Sequence, residues 1–197
     1  MQFSSILGAS SLTPLKYEVT LSNIGKDPND RNIGEYWEDR FCELAKVYGW
    51  EAWPFQRMKG STFEFNGKRY VCPDVWLLRR SGKQFICEIK HKNAARNGCY
   101  GFELYRQESM LGLESEYENK FGSVIALYVV HNHDIAGGKY VRVNRERDWH
   151  AQALRILSNE AMSGLSKTLY NGQVTKTEYP ILYYPITLFE PLVNFLK

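Results

Sequence analysis

The chain is short of the features that would settle its class at once. No run approaches the ~18 apolar residues a membrane helix needs, so no spanning segment is expected. The opening residues, Met1-Gln2-Phe3-Ser4-Ser5-Ile6-Leu7, lack the basic leader and long apolar stretch of a signal peptide. Four cysteines occur, Cys42, Cys72, Cys87 and Cys99, and none stand in the CxxC spacing of a zinc or redox site. Cys72 and Cys87 lie in apolar segments and read as buried thiols of a reducing compartment. A cytoplasmic protein, of a bacterium, phage or mobile element, fits that reading. Net charge is only +3, too small by itself to identify a nucleic-acid binder. No internal repeat or low-complexity tract is visible, which excludes solenoids and arrays.

What is present suits one core, or one core with an appendage: 197 residues, 44% of them hydrophobic. Gly34 to Tyr48 has helical spacing, with Trp37, Phe41, Leu44, Ala45 and Tyr48 on one stripe. Asn32 is a candidate cap, Glu35, Glu38 and Asp39 favour the early turns, and Gly49 stands where a helix-ending glycine would. Glu51 to Phe55 can begin a sheet, and Gln56 to Lys68 is turn-rich. Tyr70 to Leu78 and Phe85 to Lys90 read as strands, joined by the polar Arg79-Arg80-Ser81-Gly82-Lys83. A second helix is expected over Phe102 to Asn119. The apolar run Ser123 to Val130 then suits a strand covered on both faces. Helix, hairpin, helix and buried strand in that order spell an α/β sandwich.

The two hairpin strands carry the chemistry. Strand side chains alternate between faces, so Ile86, Glu88 and Lys90 share one face, and Asp74 shares another with Cys72, Trp76 and Leu78. If the two faces coincide, Asp74 comes near Glu88. Strand interiors are depleted in Asp, Glu and Lys, and a carboxylate there is costly to bury without a cation. The plain alternative is a set of hairpin charges paired with Arg79, Arg80 or Lys90. On the helical wheel Glu38 flanks the apolar stripe and is the acid best placed to face a cleft, or else an ordinary N-terminal helix charge. Gln107 shares a face with Leu104 and Leu111, so it is either a satisfied core amide or a group aimed at substrate. Arg79, Arg80 and Lys83 at the hairpin tip, with His91, Lys92 and Arg96 after the second strand, would suit a phosphate backbone; the alternative is a solvated basic surface.

From Gly34 to Val130 the sequence resembles the PD-(D/E)xK nuclease superfamily, which includes type II restriction enzymes and archaeal Holliday junction resolvases. The matching pieces are Gly34-x-x-x-Glu38, Pro73-Asp74, Glu88-Ile89-Lys90 and Gln107. The resemblance implies a restriction-endonuclease-like core, a mixed central sheet flanked by helices, over residues 34–135. It implies that Asp74 and Glu88 bind a metal, that the Ile89 carbonyl is a further ligand, and that Lys90 orients or activates a water. Glu38 would complete the metal shell, and Gln107 would contact substrate or position Lys90. Hard oxygen ligands suit Mg²⁺, with Mn²⁺ as a substitute. The expected activity is a metal-dependent endonuclease acting on double-stranded or branched DNA, and cutting two strands favours a homodimer. The alternative is a nucleic-acid-binding protein that keeps the fold without cutting.

Outside that stretch the reading is thinner. Residues 1–33 are expected as an N-terminal arm, in which Tyr17 to Leu21 could be a short strand. Residues 136–197 are expected as a C-terminal extension packed on the core. Within it a strand is expected over Lys139 to Val143, a helix over Trp149 to Leu157, and an extended segment with a short helix over Tyr179 to Lys197. His131 and His133 invite a metal reading, against which Gly137-Gly138 argues for a loop.

Overall fold

The computed structural model describes residues 30–92, 98–132, 144–160, 169–170, 173–174 and 181–197. The expected strands at 17–21 and 139–143, together with Arg96 and His133, lie outside the described residues. Helix α1 runs Asp30–Val47. It therefore starts before Asn32, which stands inside the first turn rather than ahead of it. The helix stops as its glycine predicts. Gly49 takes φ 80°, its N–H donates to the Lys46 carbonyl at 2.9 Å, and the Trp50 N–H donates to that of Ala45 at 3.2 Å. These two bonds satisfy carbonyls that the last turn would leave open.

Strand β1 (Glu51–Trp53) and the short helix α2 (Phe55–Lys59) follow. A hairpin of β2 (Thr62–Phe65) and β3 (Lys68–Val71) comes next. Its turn residues Asn66 and Gly67 both have positive φ, 53° and 73°, the twist that matches two antiparallel strands. The stretch expected as one strand over Tyr70 to Leu78 is two. β3 ends at Val71, the chain bends through Cys72-Pro73-Asp74, and β4 (Val75–Leu78) begins in a different sheet. Pro73 has no N–H for a ladder and marks the break.

Beyond the Arg79–Lys83 turn come β5 (Gln84–Lys92), β6 (Cys99–Glu103), helix α3 (Leu104–Phe121) and β7 (Ile125–Asn132). Phe102, read as helical, belongs to β6. Residues Trp149 to Leu157 divide into β8 (Trp149–Ala153) and helix α4 (Leu154–Glu160). Their spacing suits either period, and pairing with β7 decides for the strand. Short β9 (Leu169–Tyr170) and β10 (Gln173–Val174) form a pair. The tail then supplies β11 (Ile181–Pro185), β12 (Glu190–Pro191) and helix α5 (Val193–Leu196).

Six strands make one mixed sheet in the order β1-β4-β5-β7-β8-β12. β5 and β7 are parallel, and every other neighbouring pair is antiparallel. Alternation then sorts the core. On one face Trp37, Phe41 and Ala45 of α1 pack on Val75, Leu77, Phe85, Cys87 and Ile89, with Leu192 and Leu196 from the tail. On the other, Met110, Leu113 and Tyr117 of α3 meet Trp76, Ile86, Ala126 and Tyr128. Full burial of one such side chain contributes about 1.5–3 kcal/mol, so the helices are clamped to both faces. The fold is an α/β sandwich with a mixed central sheet. A boundary after residue 135 cuts through that sheet, because the segment beyond it supplies β8 and β12.

Candidate functional site

The β4–β5 ladder sets the geometry. Val75 pairs with Cys87 and Trp76 with Ile86, so one step further along the same register Asp74 stands across from Glu88. Trp76 and Ile86 both point into the α3 side of the core, and the two faces therefore coincide. Asp74 is 4% exposed and Glu88 0%. The Ile89 N–H donates to Asp74 Oδ2 at 2.7 Å, while Lys90 Nζ meets Glu88 Oε1 at 2.7 Å.

Because β4 begins only at Val75, a gap opens beside the last residues of β5. Groups from both helical layers reach it. The resulting cleft, about 830 Å³, is lined by Glu35 and Glu38 of α1, Gln56 and Arg57 of α2, Asp74, Ile89, Lys90, His91 and Arg106, among others. Glu38 Oε2 lies 3.2 Å from Arg57 Nε, and Arg57 Nη2 donates to Asp39 at 2.6 Å. From the other layer, Arg106 Nη1 donates to both oxygens of Glu88, each at 2.9 Å.

The electrostatics record how tightly these groups crowd. Burial, then the Glu88 charge, pushes the Asp74 carboxyl well above its ordinary value, although Lys90 and the Ile89 N–H pull the other way. Burial also raises Glu38, against the pull of Arg57, and Glu88 adds a smaller push. Burial opposes the charge on Lys90, yet Glu88 and Asp74 more than offset it and hold the ammonium above its usual range. The Arg106 guanidinium has the same history: burial against it, Glu88 and Asp74 for it. Glu38 and Asp74 thus line the cleft, and Arg57, Lys90 and Arg106 on its walls pair with Glu38 and with buried Glu88 beside it.

Of the residues that the resemblance assigns to a metal centre, Glu38, Asp74, Ile89 and Lys90 line the cleft, and Glu88 is ion-paired to Lys90. The other expected contacts scatter. Gln107 is buried, outside the cleft lining, and its amide oxygen accepts a hydrogen bond from the Tyr184 hydroxyl. His91 lines the cleft, but its ring stacks on Trp37 at 4.7 Å and its Nδ1 lies 2.9 Å from that of His131. Lys92 turns inward: Nζ donates to the Gly101 carbonyl at 2.5 Å, and burial, then Lys90, pulls its pKa down to about 8. Arg79, Arg80 and Lys83 stand at the opposite end of the hairpin from Asp74. Arg79 donates to the Lys197 carbonyl at 2.6 Å and Lys83 to that of Phe195 at 3.4 Å, so these two hold the tail. Sequence reasoning missed Arg57 and Arg106. Only the neighbouring Gln107 drew attention to the start of α3, and nothing local marks Arg106 as an inward cation.

The donor set suits a hard divalent ion in kind, since Asp74 and Glu88 are buried carboxylates with hard oxygen donors. Yet among the described residues no group of three or more His, Cys, Asp or Glu side chains is placed to hold a metal ion, and Glu88 is engaged by Lys90 and Arg106.

No protein-family model matches the chain, and no curated protein matches its sequence. Among solved structures, the chain is similar to Hjc, a Holliday junction resolvase of the archaeal hyperthermophile Archaeoglobus fulgidus. That similarity has 10% identity and a TM-score of 0.45, over 83% of this chain and 94% of that one.

Proposed function

We propose that the protein is a metal-dependent nuclease that hydrolyses phosphodiester bonds, most simply as an endonuclease acting on double-stranded or branched DNA. One observation carries the reading: buried Asp74, one residue before β4, accepts a hydrogen bond from the Ile89 N–H of β5, beside buried Glu88 and the Lys90 ion-paired to it. Asp74 and Glu88 would hold Mg²⁺ or Mn²⁺ together with the Ile89 carbonyl, and Glu38 would complete the set from α1. A bound divalent ion would polarise the scissile phosphate and acidify a coordinated water. Lys90, anchored to Glu88, places a positive charge where negative charge gathers on phosphorus. The walls of the cleft hold Asp74 and Glu88 out of bulk water, which strengthens each of these interactions. A two-fold homodimer would give each strand of a duplex its own cleft.

A cleavage panel tests this, with linear, nicked, branched and single-stranded substrates in Mg²⁺, Mn²⁺ or chelator. Product should require the divalent ion and fall at least ~100-fold in Lys90→Ala and Asp74→Asn. Equal cutting by Lys90→Ala would remove the assignment. The Arg106 contact favours a second reading, a nucleic-acid-binding protein that does not cut, since it covers both oxygens of Glu88. That reading expects binding that persists in chelator and no divalent-dependent product with any of the substrates.

A further inference from the structure

We propose that Arg106 couples the two ligands of the cleft, holding Glu88 until a divalent ion arrives and then passing to a phosphate of the nucleic acid. This rests on the nuclease reading and assigns within it a residue that neither the PD and ExK strings nor Gln107 include. Arg106 Nη1 is equidistant from the two Glu88 oxygens, 2.9 Å from each. It straddles the edge of the carboxylate that an ion would use, and Lys90 takes Oε1 from another side. The Glu88 side chain is 1% exposed, and a carboxylate so buried must keep a counter-charge. An ion that takes both Glu88 oxygens displaces the guanidinium nitrogen that bridges them. One leaves when the other comes.

Where Arg106 would go follows from its own position. It stands in the first turn of α3, its side chain 17% exposed, and it lines the open cleft. Its Nε donates to the Tyr105 hydroxyl at 3.2 Å. A planar guanidinium at the rim of a cleft matches phosphate better than any other side chain. Arg57, the other arginine there, is committed to Glu38 and Asp39 on α1. The exchange makes metal and nucleic acid raise each other's affinity, and linkage requires that the gain be reciprocal.

Two binding measurements read the coupling without turnover. Mn²⁺ affinity of the free protein is followed by loss of the aqueous Mn²⁺ resonance. Affinity for a short fluorescein-labelled duplex is followed by anisotropy, in chelator and in Ca²⁺. Arg106→Gln should bind Mn²⁺ roughly 10-fold tighter than wild type in the absence of duplex. Wild type should gain about 10-fold in duplex affinity when Ca²⁺ replaces chelator, and Arg106→Gln should gain little. Arg106→Lys, which keeps the charge but not the fork, should fall between, about 3-fold from wild type; it serves if the Gln variant does not fold. Mn²⁺ affinity unchanged or weakened in a folded Arg106 variant overturns the proposal, as does a wild type whose duplex affinity ignores Ca²⁺. If no protein binds Mn²⁺ with or without duplex, the nuclease reading fails first and takes the coupling with it.

Discussion

If Asp74 holds a metal as proposed, it is the residue at which function and stability pull apart. Its folded-state pKa lies above the ordinary 3.8 because it is buried and faces the Glu88 charge. Between 3.8 and that raised value the folded protein therefore holds a proton that the unfolded chain has released. Stability contributed by Asp74 is complete below this window and declines as pH rises through it. Asp74→Asn removes the ionisation while keeping an oxygen for the Ile89 N–H. The variant should be inactive yet more stable than wild type at neutral pH, by on the order of 1 kcal/mol or about 2–4 °C. Thermal melts of both proteins from pH 3.5 to 8 should converge at the acid end. A destabilised Asn variant at neutral pH would mean that the carboxylate is needed ionised for folding.

At the scale of elements, the β4–β5 hairpin separates two jobs that the sequence presents side by side. One end builds the cleft, and the tip, through Arg79 and Lys83, binds the carbonyls of the tail. Arg79→Ala should cost about 1 kcal/mol in urea unfolding and leave the salt dependence of nucleic-acid binding unchanged. A shallower salt slope would instead return the tip to the binding surface. The same hairpin explains what could be read in advance. Strand alternation puts Glu88 and Lys90 on one face whatever else the chain does, so the acid–lysine pair is legible from six residues. The matching of Asp74 to Glu88 needs the register, which the sequence leaves open. Arg106 could not be read at all, because an arginine in the first turn of a helix looks solvated until the β5–β7 crossover turns it toward the sheet. Trp149 to Ala153 misled for another reason: its apolar residues fit two periods, and only the neighbouring β7 selects one.

Across the whole molecule, the tail is a part of the core. Leu192 and Leu196 are fully buried, and the Leu192 N–H donates to the Trp149 carbonyl at 3.0 Å. Leu192→Ala should therefore cost about 2–4 kcal/mol, seen as a lower urea midpoint with an unchanged slope. A cost below about 0.5 kcal/mol, the scale of surface changes, would show that the tail packs loosely. Trp37 links that core to the cleft, edge-on against Trp149. Trp37 lies flat against His131 at 3.6 Å and against His91, which borders the cleft. A protonated imidazole quenches an indole it stacks on, so Trp37 emission should respond to a change at His91. On the nucleic-acid-binding reading, fluorescence should shift when an oligonucleotide fills the cleft and stay flat in Trp37→Phe.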